Sequence, residues 1–296
     1  MSAPALVERW SGEDVTLSEV ESELARLLVA CATSDDGANL RTSVMTHIGW
    51  APVEWAGPAL ETLRGMGERH PSRTIVLLPD PDAGVDRIDA AATVECYPLP
   101  GLPRNICTEV VELRLLGSRA LAPASIVEPL LIADVPVFLR WRGALPFGER
   151  PFEELVDVAD RLIVDSTEWD DLAGGYERLP GLFDRLAVSD IAWARTGRWR
   201  ALLASLWPGI ADVRSIRVRG TAPQAHLIAG WLRSRLDRAV ALDHVPAGRL
   251  EGIDIDGEPA PFPPGDPPAS SDLLSDELDR LERDVVYEAA VRSAFA

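Results

Sequence analysis

The sequence predicts an α/β protein. A mixed, partly parallel sheet with flanking helices forms the N-terminal part, and a smaller α+β domain follows. Three observations predict it. Between residues 40 and 165, short apolar runs alternate with stretches of helical period, as strand–helix–strand units do. Around residues 92–117, two strand-like runs follow each other without a helix, the mark of antiparallel neighbours. Near residue 180 the texture changes to helix-rich segments carrying Trp193, Trp199 and Trp207, interspersed with short alternating runs. The predicted domains are therefore 1–170 and 171–296. The second carries a Pro-rich loop over 258–270 and a terminal helix over 272–293.

The first helix spans 15–31, with Leu17, Val20, Leu24, Leu27, Leu28 and Cys31 at spacings of three and four. Thr16 and Glu19 form its capping box. "LRTSVMTHIGW" is a strand, and a helix starts near Pro52 and frays at Gly65 and Gly67. "SRTIVLLPD", bounded by Pro71 and Pro79, is a strand covered on both faces. "ATVECYPL" and "ICTEVVELRLLG" are two further strands. In the second, Glu109, Val111, Leu113 and Leu115 face one way, and Val110, Glu112, Arg114 and Leu116 the other. "APASIVEPLLIAD" is a helix, "VPVFLRW" a strand, "PFEELVDVAD" a helix opened by proline, "RLIVDS" a strand and "TEWDDLAGGYERL" a helix. "LAVSDIAWARTGRWRALLASLWPG" is helix-rich and "VRSIRVRG" a strand. "APQAHLIAGWLRSRL" is a helix, and "AVALDHV" and "RLEGIDIDG" are strands. Leu274, Leu278, Leu281 and Val285 make one seam of the acidic terminal helix.

Composition removes several functions. The 296 residues hold 29 Lys+Arg against 47 Asp+Glu, a formal net charge of −18. Such a chain is not suited to sequence-independent nucleic-acid binding, which needs a basic surface, nor to anionic lipid. Every basic residue is Arg, so there is no Schiff-base or P-loop lysine. Cys31, Cys96 and Cys107 are too few and too scattered for a disulfide framework or a zinc site, and a reducing cytoplasm fits them. The N-terminus lacks the pattern of a signal peptide. The most apolar segment, 125–139, carries Glu128, Pro129, Asp134 and Pro136, so it reads as core and not as a membrane span.

The dinucleotide fingerprint is missing: "GMGERH" ends a helix where the motif must open one. His47, His70, His226 and His244 lie in unrelated segments, so no metal and no cofactor is expected. No nucleophile has an adjacent base, and the chain does not read as a self-sufficient catalyst. "HPSR" offers His70, Ser72 and Arg73 to an anion, but at the amino end of its strand. Its plainer reading is a helix stop with Pro71 turning the chain into the sheet.

Ligands of open α/β sheets gather outside the carboxyl ends of the strands. Three strands end there in polar clusters: one in Asp80, one in Arg140, Trp141 and Arg142, one in Asp165 and Ser166 with Trp169 following. Arg and Trp dominate interface hot spots, and Arg forks suit phosphate or carboxylate. This edge is the candidate surface for a partner or an effector. The plainer alternative is an Arg140–Asp165 ion pair that organises loops.

"RTSVMTHIGW", "HPSRTIVLLPD", "ICTEVVELRLLG", "ASIVEPLLIADVPVFLRWRGALPFG", "LVDVADRLIVDSTEWDDL", "DIAWARTGRWRALLASLW", "APQAHLIAGWLRSRL" and "DELDRLERDVVYEAA" resemble, in that order, the glucose-6-phosphate dehydrogenase assembly protein family, OpcA. The resemblance implies a non-enzymatic partner that promotes the active, assembled state of glucose-6-phosphate dehydrogenase in the oxidative pentose phosphate pathway. Some relatives respond to thioredoxin through cysteines. Cys107, in "NICTEVVEL", is the matching candidate, with Cys96 its sole near neighbour, and an inert strand cysteine is the expectation. The alternatives from other classes are a sensor or enzyme using the carboxyl-edge cluster on a sugar phosphate, and a scaffold docking through its acidic terminal helix.

Overall fold

The apolar runs of the N-terminal half become the strands of a mixed sheet whose order decides where a site can lie. The computed structural model of the chain describes residues 6–33, 38–40, 43–63, 70–98 and 104–296. It divides into two units, Met1–Leu162 and Ile163–Ala296. The first contains β1 (Leu6–Gly12), α1 (Leu17–Thr33), β2 (Ala38–Leu40), β3 (Met45–Trp50), α2 (Val53–Leu63), β4 (Ser72–Asp80), β5 (Ile88–Pro98), β6 (Arg104–Leu116), α3 (Ala124–Val127), β7 (Val137–Trp141) and α4 (Arg150–Val158). The division falls inside β8 (Arg161–Val164).

From one edge the strand order is β1-β5-β6-β4-β3-β7, with β2 alongside β6. β1, β5 and β6 are antiparallel neighbours, whereas β6, β4, β3 and β7 run parallel. The mixed sheet predicted from sequence is thus present, with its antiparallel part over β5 and β6. Thr16 and Glu19 cap α1 reciprocally: the Thr16 N–H donates to Glu19 Oε2 at 2.7 Å and the Glu19 N–H to Thr16 Oγ1 at 3.2 Å. Leu24, Leu27 and Cys31 are buried along its seam. Gly65 and Gly67, where the second helix was expected to fray, lie outside the described residues.

Three expectations are corrected. "LRTSVMTHIGW" is not one strand: β2 ends at Leu40 and β3 begins at Met45. "APASIVEPLLIAD" forms only α3 and a 3₁₀ turn, Glu128–Leu130, because Pro129 cannot continue the ladder of α-helical hydrogen bonds. The cysteines are not all unpaired. The β5–β6 register sets Cys96 opposite Cys107, with Cα atoms 4.1 Å apart, and the two form a disulfide; Cys31 is free and buried. The inert thiol expected at Cys107 is absent, and the argument from unpaired thiols to a reducing compartment falls with it. A spacing of 11 residues conceals this pairing until the hairpin register is known.

The second unit contains, after β8, α5 (Leu172–Arg178), β9 (Ala187–Asp190), α6 (Ile191–Arg195), α7 (Gly197–Ser205), β10 (Ser215–Gly220), α8 (Ala222–Leu236), β11 (Ala241–Pro246), β12 (Gly252–Ile255), β13 (Glu258–Pro259), α9 (Ser270–Leu278) and α10 (Val285–Arg292). Its sheet runs β11-β10-β12-β13, parallel between β10 and β11 and antiparallel otherwise. Ile216, Val218 and Ile253 pack with Ile228, Ala229 and Leu232 of α8 to make its core. α8 and α10 approach so closely at Gly230 that a Cβ there would lie 2.1 Å from the Ala290 carbonyl oxygen. The single terminal helix expected over 272–293 is two helices. Asp284 starts the second one by accepting the Val286 and Tyr287 N–H groups at 3.0 and 2.9 Å.

Candidate functional site at the carboxyl edge of the first sheet

β3 has β4 on one side and β7 on the other, both parallel to it. The chain moves from β3 to β4 in one direction and reaches β7 only later, on the opposite side. The carboxyl end of β3 is therefore a topological switch point, where the loops leaving adjacent strands diverge and open a crevice. A cleft of about 390 Å³ lies there. Residues after β3 (Glu54 and Trp55), after β4 (Pro81) and after β7 (Arg142, Ala144 and Glu149) line it.

Its floor follows from register. Trp50 ends β3, Trp141 ends β7, and the two are directly paired. Their rings stack at 4.8 Å with 9° between planes, close to the spacing of neighbouring strands. Phe152 of α4 meets Trp141 edge-on at 5.0 Å, and the Trp141 indole N–H donates to the Ala144 carbonyl at 3.1 Å. Arg142 lies over the Trp55 ring, 4.7 Å from its centroid. Gly143 turns the loop at φ +84°, a region that favours glycine, and a Cβ there would stand 3.3 Å from the Trp55 indole nitrogen.

The Arg-Trp-Arg triplet is therefore divided. Alternation along β7 sends Trp141 to the cleft and Arg140 to the opposite face, opposite Gly49, where its guanidinium donates to the Trp141 carbonyl. Trp141 and Arg142 line the cleft, and Arg140 does not. Asp80 stands at the end of β4 in a 3.3 Å ion pair with Arg114. Sequence reasoning missed Trp50 and Trp55. The available signal was that "MTHIGW" and "VFLRW" both end in tryptophan. Among the described residues the lining holds no hydroxyl, thiol or imidazole. Aromatic walls beside a guanidinium and the carboxylates of Glu54 and Glu149 can hold a ligand or a partner's side chains.

The weaker candidates at the amino edge are buried. Arg73 and Glu109 are direct cross-strand partners, 7% and 1% exposed. The guanidinium reaches Glu109 at 2.6 Å and the Leu130 carbonyl at 2.8 Å. The anion that Arg73 holds is thus Glu109. Ser72 Oγ lies 3.4 Å from Thr74 Oγ1, and His70 is buried. His47, on β3, is buried with Nε2 unpartnered. Burial, then the charges of Arg140 and His70, lower its pKa to about 4. The folded state thus refuses a proton that the unfolded chain accepts near pH 6.5, and stability is lost as pH falls through that window. Between pH 7 and 5 the native protein should lose about 2 kcal/mol that His47→Gln does not lose. Urea unfolding at both values checks this; equal losses would refute it.

The remaining candidates belong to the second unit. Asp165 makes a two-pronged ion pair with Arg195 at 2.8 and 2.9 Å, and its carboxylate also accepts the Thr167 hydroxyl at 2.6 Å. Ser166 is buried, and its hydroxyl donates to Asp190 at 2.5 Å and lies 2.8 Å from the Tyr176 hydroxyl. Trp169 stands edge-on to Tyr176 at 5.6 Å. Asp190, absent from the sequence candidates, is the centre of this group. Burial, then Asp165, raise its pKa to about 6. Burial and then Asp190 push Tyr176 and Tyr287 well above the usual phenol range.

Among the described residues no group of His, Cys, Asp and Glu is placed to hold a metal ion, and no helix is long and apolar enough to cross a membrane. Residues 65–180 match the family described as glucose-6-phosphate dehydrogenase subunit N-terminal domain, and residues 186–257 its C-terminal domain. The chain belongs to the OpcA family. Family relatives include the putative OxPP cycle proteins OpcA of Nostoc punctiforme and Synechococcus elongatus. The first is 26% identical over 182 residues, 57% of this chain and 38% of that protein. The second is 26% identical over 180 residues, 57% of this chain and 40% of that protein. The matched region thus spans less than half the length of these relatives. The family's N-terminal segment holds the cleft's Arg142 and Trp141, and its C-terminal segment holds Asp190 and Arg195.

Proposed function

We propose that this protein is a non-catalytic assembly factor that binds glucose-6-phosphate dehydrogenase and favours its active, assembled form. The observation that carries this reading is the ordered match to both segments of the glucose-6-phosphate dehydrogenase subunit family. The chemistry of the cleft supports it: tryptophan walls and a half-buried arginine are the composition of protein-binding hot spots. An activator shifts its partner only by binding one state more tightly than another. The cleft face around Arg142 is the surface assigned to that contact.

The test is the activity of the cognate dehydrogenase with and without this protein, together with light scattering of the mixture. A rise in activity with a co-eluting complex is expected; no complex and no change would refute the reading. Arg142→Ala should weaken complex formation about tenfold, the scale of a hot-spot arginine, while leaving the thermal unfolding midpoint near that of the native protein. Unaltered affinity would move the contact to another face.

A further inference from the structure

We propose that the second unit binds a small organic phosphate carrying a planar ring, in the cavity covered by the Pro-rich loop that follows β13. The cavity measures about 560 Å³, within the usual range for small-molecule sites. Three guanidiniums reach it from separate elements: Arg195 at the end of α6, Arg198 at the start of α7 and Arg249 between β11 and β12. Such convergence runs against a chain with 47 acidic and 29 basic residues.

Each arginine stands differently. Arg195 is held in the two-pronged pair with Asp165, so its position is fixed. Arg198 donates to the carbonyls of Pro263 at 2.9 Å and Pro264 at 2.6 Å and to that of Gly265, which ties the loop over the cavity. These partners are neutral, so its charge remains. Arg249 is exposed and has no carboxylate partner among the described residues. Among the described residues Glu251 is the one carboxylate of the lining, and with Arg195 offset by Asp165 the remaining pair, Arg198 and Arg249, still outweighs it. Arginine forks of this kind suit phosphate oxygens.

The ring is assigned from the other wall. Phe262, on the Pro-rich loop, is 75% exposed, with its centroid 5.8 Å from that of buried Trp199. An exposed aromatic face beside cationic forks fits a planar, phosphorylated molecule, the ring on Phe262 and the phosphate on Arg198 and Arg249. The site is independent of the dehydrogenase reading.

The experiment is titration calorimetry of the full chain at low salt with adenosine 5′-monophosphate, inorganic phosphate and glucose 6-phosphate. The monophosphate should bind with submillimolar affinity and more tightly than the other two. Arg249→Ala should weaken it about tenfold, and Phe262→Ala should weaken it more than it weakens phosphate. Both side chains are exposed, so the variants should keep the native unfolding midpoint. Absence of binding at millimolar monophosphate, unchanged affinity in Arg249→Ala, or equal affinity for all three probes would overturn the proposal. No dehydrogenase enters the measurement, so its failure is distinct from failure of the assembly reading.

Discussion

Arg73→Met should be among the most damaging single substitutions in the first unit, lowering stability by about 3–5 kcal/mol. The reason is Glu109. Its carboxylate is 1% exposed and takes the Arg73 guanidinium at 2.6 Å from the adjacent strand. Remove the cation and a buried negative charge loses the guanidinium that helps to offset its desolvation. The whole stability of a domain is about 5–15 kcal/mol, so such a loss threatens folding. Glu109→Gln in the Arg73→Met background supplies the control. Neutralising the carboxylate should recover much of the loss, because the damage comes from burying a charge without the Arg73 cation and not from a missing attraction. Urea midpoints of the single and double variants decide it. Equal destabilisation of the two would mean that packing, and not charge, is what Arg73 supplies.

That pair also shows what the sequence could and could not reveal. Glu109 was correctly placed on one face of its strand with Val111, Leu113 and Leu115, and that face is buried. A glutamate on a buried face demands a cation, but naming Arg73 requires knowing that β4 and β6 are parallel neighbours in a given register. The same gap separates Trp141, found from the rule about carboxyl ends, from Trp50, its stacking partner across β3 and β7. Local signals carried the capping box of Thr16 and Glu19, because it closes within four residues. They did not carry the Cys96–Cys107 bond, which depends on hairpin register. β9 was missed for another reason. It is four residues long and runs directly into α6, so helical periodicity swamps it. With β9 went Asp190, and without Asp190 the roles of Ser166 and Tyr176 had no visible centre.

Asp190 carries the other large effect. One carboxylate oxygen accepts the Ser166 N–H at 3.0 Å and the Ala192 N–H at 2.8 Å; the other accepts the Ser166 hydroxyl at 2.5 Å and the Tyr176 hydroxyl at 3.3 Å. It thereby joins β9, the start of α6, the turn after β8 and α5. Asp190→Ala leaves these buried donors without their acceptor, at about 1–3 kcal/mol for each that finds no replacement. The variant should be at the margin of folding. Asp190→Asn is the informative substitution, since its carbonyl can still accept the two N–H groups while its amide offers donors to the hydroxyl oxygens. It also removes a titration. The pKa of Asp190 rises from 3.8 to about 6 in the folded state, so between these values the folded chain holds a proton that the unfolded chain releases. Stability contributed by this group therefore grows as pH falls below 7 and is complete below pH 4. The gain is about 1 kcal/mol at pH 5 and approaches about 3 kcal/mol in the acid limit. This slope opposes that of His47, so the total pH profile hides both. The difference between native and Asp190→Asn urea midpoints, measured from pH 7 to 4, isolates it. Native protein should gain on the variant throughout that range. Parallel profiles would show that Asp190 is still ionised at pH 4, and that its hydrogen-bond donors, the Tyr287 hydroxyl at 3.5 Å among them, and not burial, set its charge.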